Sequence, residues 1–239
     1  MQIFPSYSER IAKYNKIRIQ KNNYLKNIKG NLNVDTKMLD VWNEQLAIAG
    51  SNVIFIRLNF LHELQKTAFT KHKQISKCEN LSITYNSAIT GNIFVKDKFA
   101  HNNEYILEHF LNNLEQNKQE EIIRAQSITG PHRDDILYFI NDIDAQKFAS
   151  QGQQRTIVLS LKLAELDLIR EKTGTNAILL LDDVLAELDD LRQNFLFDAV
   201  GNGTQTIITS VDTLHFKEEY LKDVEIFEIK NNEVLRVTI

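Results

Sequence analysis

The chain has 239 residues, 43% hydrophobic and 25% charged, the balance of an ordinary globular protein with room for one large domain or two small ones. Two prolines and eight glycines argue against long disordered linkers, no apolar run reaches the roughly 18 residues of a membrane span, and the N-terminus lacks a signal peptide's apolar core. Cys78 is alone and the six histidines are scattered, so composition points to a reducing, cytoplasmic compartment without a membrane partner.

The net charge of -4 excludes the chain as a whole from the basic nucleic-acid binders, but the charge is uneven. Residues 1–30 carry Arg10, Lys13, Lys16, Arg18, Lys21, Lys26 and Lys29 against Glu9 alone. Such a segment permits contact with a phosphate backbone and equally forms an ordinary solvated helix face, so Arg10, Lys13, Lys16, Arg18 and Lys21 are candidate DNA contacts and no more.

In chain order, residues 5–28 read as a helix, with Pro5 in its first turn and Tyr7, Ile11 and Tyr14 on one stripe. A second helix spans Val34 to Lys73. Leu39, Trp42, Leu46, Ala49, Val53, Ile56 and Phe60 alternate by three and four, the seam of an antiparallel helical pair. Ile48, Ile54, Leu58, Leu61 and Leu64 widen that face beyond a free-standing coiled coil. Leu81–Tyr85 alternates as a strand, and Asn102–Gln126 reads as a helix with Tyr105, Ile106, Phe110, Leu111 and Leu114 inward. The charged stretch Glu115–Glu121 is a solvated face or a junction.

After about residue 125 the texture changes. Strands are expected at Ser127–Thr129, Asp135–Asn141, Ala177–Leu181 and Gln205–Thr209, with helices at Gly152–Lys172 and from Asp189. This alternation implies parallel β-α units. Ile178–Leu181, apolar at every position, reads as a strand buried on both faces. A hairpin of Val224–Ile229 and Val234–Ile239 closes the chain around Asn231-Asn232, which tolerate a type I′ turn. The division is thus a helical lobe over 1–125 and an α/β part over 126–239.

Two places carry chemistry. The apolar strand ends in Asp182 and Asp183, where open α/β sheets bind ligands; one acid there can hold magnesium and the next can orient a water, or either can simply cap the following helix. Ser150-Gln151-Gly152-Gln153 precedes a helix whose N-terminus favours an anion, or Ser150 is an ordinary cap. A metal-dependent nuclease or phosphatase built on Asp182, Asp183, Asp189 and Asp190 lacks nearby histidines. The phosphate-cradling G-x-x-x-x-G-K-[ST] loop is missing, since no glycine in the chain is followed by lysine.

Phe148 to Arg155, Leu159 to Glu165, and Leu179 to Asp189 resemble the RecF family, bacterial recombination mediators with an ABC-type ATPase head. Gly130-Pro131-His132-Arg133-Asp134-Asp135 and Leu39 to Leu46 are similar to further stretches of the family. The resemblance covers nearly the whole chain but only the later two-thirds of a family member, so the chain is read as N-terminally truncated. It implies a partial ABC-type ATPase head lacking its Walker A part, joined to a mainly helical second lobe that helps clamp duplex DNA. Ser150, Gln151, Gly152 and Gln153 would then be the signature that meets ATP held by the opposite subunit. Asp182 would be the Walker B acid on Mg2+, Asp183 the acid that positions the attacking water, and Ala186, Glu187, Leu188 and Asp189 the D-loop at the dimer contact.

By the same resemblance the cofactors are ATP and Mg2+. The partners are duplex DNA near single-strand gaps, a second subunit in an ATP-dependent homodimer, and recombination mediator proteins. Thr209-Ser210-Val211-Asp212 stands where an ABC transporter carries histidine, with His215 three residues beyond, which fits RecF-like proteins better than a transporter. Without a Walker A lysine the chain is expected to be inactive alone, and exposed sheet surface predicts self-association. The alternative is a non-enzymatic DNA-binding or dimerisation module, or a decayed fragment without ATP turnover. For Arg133 two readings stand: a charged turn with an Arg–Asp pair, or a place near nucleotide or DNA.

Overall fold

The computed structural model describes residues 6–29, 36–94, 102–182, 188–200, 203–211, 216, 221, 224–230 and 233–237. The chain resolves into two compact units, Met1–Thr175 and Asn176–Ile239.

The first unit is built on a helical pair. Helix α1 (Ser6–Ile28) carries Glu9 in its first turn and Lys26 in its last, each sign at the end where the helix dipole favours it. Helix α2 (Lys37–Ile75) is 39 residues long. The pair is antiparallel. Early in α1, the Tyr7 hydroxyl accepts from Arg57 Nε (3.0 Å) and Arg10 donates to Asn52 (3.1 Å); at its end, Leu25 and Ile28 cluster with Leu39. The expected seam is buried or half-buried throughout, whereas Ile48 faces solvent. Pro5, the proposed first-turn residue, lies outside the described residues.

The predicted helix over Asn102–Gln126 is two helices, α3 (Asn103–Gln116) and α4 (Lys118–Arg124), so the charged stretch is a junction. The break falls at Asn117, whose side-chain amide (2.7 Å) shares the Asn113 carbonyl with its own backbone N–H (3.0 Å). Ile106, Phe110 and Leu114 of α3 are buried, while Tyr105 and Leu111, expected inward, are exposed because they flank that stripe.

Helices α1, α2 and α3 converge at Gly50. A Cβ there would collide with the Phe110 ring and stand 3.1 Å from the Tyr14 ring. Helix propensity alone favours alanine at such a site by about 1 kcal/mol. The crowding reverses the sign, and Gly50→Ala is expected to destabilise the unit by about 1–3 kcal/mol, read from urea unfolding followed by the fluorescence of Trp42. A stabilised variant would show that the three helices can move apart at no cost.

A four-stranded antiparallel sheet covers this bundle in the order β2-β1-β3-β4, with β1 (Leu81–Ser87), β2 (Gly91–Phe94), β3 (Asp135–Ile140) and β4 (Ile143–Asp144). Leu81, Ile83 and Tyr85 are buried as their alternation requires. Ser127–Thr129, expected as a strand, pairs with no strand; Asn22 Oδ1 accepts from the Ser127 backbone (2.7 Å) and Glu121 Oε1 from that of Ile128 (3.1 Å). Side chains thus satisfy the backbone that a ladder would otherwise satisfy. Asp144 caps the short helix α5 (Ala145–Phe148), and α6 (Gln151–Thr173) packs along α2 through buried Ile157, Ala164 and Leu168.

The second unit contains a parallel pair, β5 (Leu179–Asp182) and β6 (Thr206–Thr209), the helix α7 (Asp190–Val200), and an antiparallel hairpin of β7 (Ile226–Lys230) and β8 (Glu233–Val237). The parallel pairing is the one that the strand-helix alternation implies. The expectation that β5 is buried on both faces fails. Leu179 is buried but Leu180 is 69% and Ile207 of the neighbouring strand 53% exposed. The described β5 has β6 as its only strand neighbour, and one face of the pair is uncovered. The Asn231-Asn232 turn lies outside the described residues.

Candidate functional site

The turn before α6 is built by its own side chains. The Ser150 hydroxyl oxygen accepts from the Gln153 backbone (3.3 Å), and Gln153 Oε1 accepts from the Ser150 backbone (2.8 Å). This reciprocal cap was legible as a serine followed three residues later by glutamine. The first turn of a long helix thus stands at Ser150–Gln153, and among the described residues the hydroxyl hydrogen of Ser150 has no acceptor in the protein. Such an end, positive through its dipole and carrying a free hydroxyl donor, can engage a phosphate oxygen.

Gln153 also reaches out of the turn. Its Nε2 donates to Glu79 Oε1 (2.8 Å), and the other carboxylate oxygen meets His72 Nε2 at 3.2 Å. Burial acts to raise the Glu79 carboxyl, but hydrogen bonds from Gln153, Ser76 and His72 outweigh it and hold the group below its ordinary range. Glu79 escaped the sequence reading because nothing in Lys77-Cys78-Glu79-Asn80 marks it; only the fold brings it to α6.

In the second unit, Asp182 ends β5 directly opposite Thr209 of β6, whose hydroxyl donates to Asp182 Oδ1 (2.5 Å). The carboxylate is exposed, and among the described residues its other oxygen accepts no hydrogen bond. A strand-end carboxylate with an open oxygen suits magnesium, which takes one or two carboxylates and completes its shell with water and phosphate. Asp189 caps α7, accepting from the Arg192 backbone (3.0 Å) and pairing with the Arg192 guanidinium, and the Leu188 carbonyl accepts from Gln193 (3.1 Å). Asp183, Ala186, Glu187 and His215 lie outside the described residues. Among the described residues no three His, Cys, Asp or Glu side chains gather as a metal cluster.

The basic residues of α1 divide. Lys13 and Lys16 are exposed, and Arg10 is exposed beside Asn52. Arg18 is half-buried, with its Nε lacking a hydrogen-bond partner. Lys21 is a correction: it is fully buried and ion-paired with Glu121 at 2.5 Å, so its ammonium faces the interior and is closed to a DNA phosphate.

Gly130 to Asp135 forms a joint between α1, α2 and the sheet. The Tyr14 hydroxyl lies 2.6 Å from His132 Nδ1, and Arg57 donates to the Pro131 carbonyl at 2.5 Å. Asp134 accepts from the Tyr85 hydroxyl (2.7 Å) and the Ala88 backbone (2.9 Å). Burial first, partly countered by those bonds and by Arg57, leaves the Asp134 carboxyl above its ordinary range. Gly130 has φ +132°, glycine territory, and a Cβ there would run into the Tyr14 hydroxyl. The expected Arg133–Asp pair is not formed among the described residues: Asp134 turns inward, Asp135 accepts from the Ile136 backbone, and Arg133 is exposed.

The fold is that of part of an ABC-type ATPase head with a mainly helical second lobe, and the comparisons agree. No protein-family model matches the chain. It is 38% identical over 236 residues to the DNA replication and repair protein RecF of Halothermothrix orenii and 41% identical over 234 residues to that of Listeria monocytogenes, in each case over 98% of this chain. Among solved structures it superposes on the recombination mediator protein RecF of the RecFOR pathway. The TM-score is 0.82 with 31% identity to the RecF-ATPrS form and 0.81 with 33% identity to the RecF-ATP form, each over 99% of this chain. The chain is therefore RecF-like from end to end, and it spans 61–62% of those two curated relatives and 60% of the solved chains. Among the described residues, no helix is long and apolar enough to cross a membrane.

Proposed function

We propose that this chain is part of a RecF-type DNA replication and repair protein, in which ATP binding drives dimerisation, duplex DNA near single-strand gaps is engaged, and recombinase loading follows with other mediator proteins. The observation that carries this reading is the superposition on RecF in its RecF-ATP and RecF-ATPrS forms over 99% of the chain. Residues 1–125 serve as the helical lobe and 126–239 as the C-terminal part of the ATPase domain.

In this reading Ser150, Gln151, Gly152 and Gln153 present hydroxyl and backbone donors to the γ-phosphate of ATP held by the opposite subunit. Asp182 holds Mg2+, which supplies charge neutralisation on the phosphate oxygens. Asp183 orients the attacking water and accepts its proton. Ala186, Glu187, Leu188 and Asp189 line the contact between subunits, and Arg10, Lys13 and Lys16 contribute positive charge toward DNA.

The test is Mg2+-dependent ATP hydrolysis with and without a supplied Walker A-bearing part of RecF. Turnover is expected only in the complemented sample, and Asp183→Asn lowers it by at least 100-fold. Equal turnover in that variant removes Asp183 from the reaction. The exposed cations of α1 favour a second, non-enzymatic reading: DNA binding by the chain alone, weakening steeply with salt and indifferent to ATP.

A further inference from the structure

We propose that Glu79 is a positioning residue for the turn Ser150–Gln153, the group through which the C-terminal end of α2 sets that turn's geometry. The inference rests on the reading of this turn as an ATP signature and adds to it a residue that no motif marks.

The geometry is a line of contacts from the turn to α2 and back to α6. Gln153 Nε2 donates to Glu79 Oε1 at 2.8 Å, and His72 of α2 meets Glu79 Oε2 at 3.2 Å through Nε2. On its other side, His72 Nδ1 lies 3.5 Å from the Ser160 hydroxyl of α6. Along α6, Ser160 donates to the Thr156 carbonyl (2.7 Å) and Thr156 to the Gly152 carbonyl (2.8 Å). The start of α6 is thereby linked to α2 through Gln153, Glu79 and the Nε2 end of one imidazole, which is itself fully buried and has Ser160 of α6 against its other nitrogen.

A carboxylate at position 79 imposes a direction on every member. It only accepts, so the Gln153 amide must turn its NH2 toward Glu79 and its oxygen toward the Ser150 backbone N–H. That orientation closes the reciprocal cap and leaves the Ser150 hydroxyl hydrogen as the donor the turn offers outward. The same argument fixes His72: a carboxylate partner requires the proton on Nε2. The Ser160 hydroxyl has given its hydrogen to Thr156, so it makes no hydrogen bond to the bare Nδ1 of this tautomer and can accept only once a proton sits there.

Two variants separate positioning from mere support. Glu79→Gln keeps an oxygen for Gln153 but turns an NH2 toward His72. It is expected to move the His72 proton from Nε2 to Nδ1, visible in the imidazole 15N shifts, while Ser150–Gln153 keeps its geometry. Glu79→Ala removes both links and is expected to speed amide exchange at Gln153 by at least tenfold. The functional arm is association of this chain with the full-length Listeria monocytogenes RecF in the presence of Mg2+ and ATPγS. Wild type and Glu79→Gln are expected to associate within threefold of each other and Glu79→Ala at least tenfold more weakly, with Ser150→Ala as the reference for loss of the turn's own donor.

If wild type associates and Glu79→Ala matches it, or if Glu79→Gln leaves the His72 proton on Nε2, the positioning role is overturned and the signature reading stands. If wild type shows no nucleotide-dependent association, the signature reading falls and takes the inference with it. The tautomer measurement decides the matter even if Glu79→Ala fails to fold.

Discussion

Glu121→Ala is expected to lower the stability of the first unit by about 3–5 kcal/mol, the cost of stranding a buried charge. Lys21 and Glu121 are both 0% exposed, 2.5 Å apart, and Glu121 Oε1 also accepts from the Ile128 backbone. Burial already pulls the Lys21 ammonium below its ordinary range, with Glu121 working against that pull. Removing the carboxylate removes the opposition, so the lysine folds more readily when neutral, and the variant regains stability relative to wild type as pH rises. Lys21→Met with Glu121→Gln removes both charges yet keeps an acceptor for Ile128, and it is expected within about 1.5 kcal/mol of wild type. Urea unfolding followed by Trp42 at pH 7 and 9 measures all three proteins. A single variant that loses less than about 1 kcal/mol would mean that water reaches Lys21.

Acid is expected to weaken the same unit through His132. Its imidazole is pushed down to about 4, by burial first and then by the Arg18 charge; a hydrogen bond to the Ser127 backbone opposes this, and Arg133 and Lys21 add to it. Geometry gives the same sense. Burial keeps the Tyr14 phenol protonated, so it donates to His132 Nδ1, a bond that a protonated ring cannot accept. Between pH 6.5 and about 4 the unfolded chain therefore takes up a proton that the folded chain refuses. Stability falls as pH drops through that window, by about 3 kcal/mol at the outside and less because solvent screens the half-exposed ring, and the loss is complete below it. Asp134 acts in the opposite sense, since its raised carboxyl favours the folded state on the acid side and loses that contribution as pH rises. The difference between wild type and His132→Gln across pH 4–7 isolates the histidine. Parallel pH profiles for the two proteins would rule the histidine out.

The sequence exposed what is local and periodic. The stripe along α2, the alternation of Leu81, Ile83 and Tyr85, the parallel pairing of β5 with β6 and the cap at Ser150 each depend on neighbours within a few residues or on a repeat. Readings failed where a distant partner decides. Lys21 looks like any surface cation until Glu121, 100 residues on, is placed against it. Ser127–Thr129 has strand-like composition, but Asn22 and Glu121 take the hydrogen bonds a strand would use. The helix divides at Asn117 although its apolar stripe runs on past it; there the Asn117 side chain and backbone share one carbonyl, which periodicity does not register. Glu79 and Arg57 carry no sequence mark, since their importance comes wholly from what the fold sets beside them.

Gly130 and Tyr14 constrain each other sterically. The glycine's backbone angle and the phenol that fills the space above it make a larger residue at 130 tolerable only if position 14 shrinks, and a shrunken position 14 deprives His132 of its donor. A side chain added at 130 would therefore be felt at His132, through the phenol that stands between them.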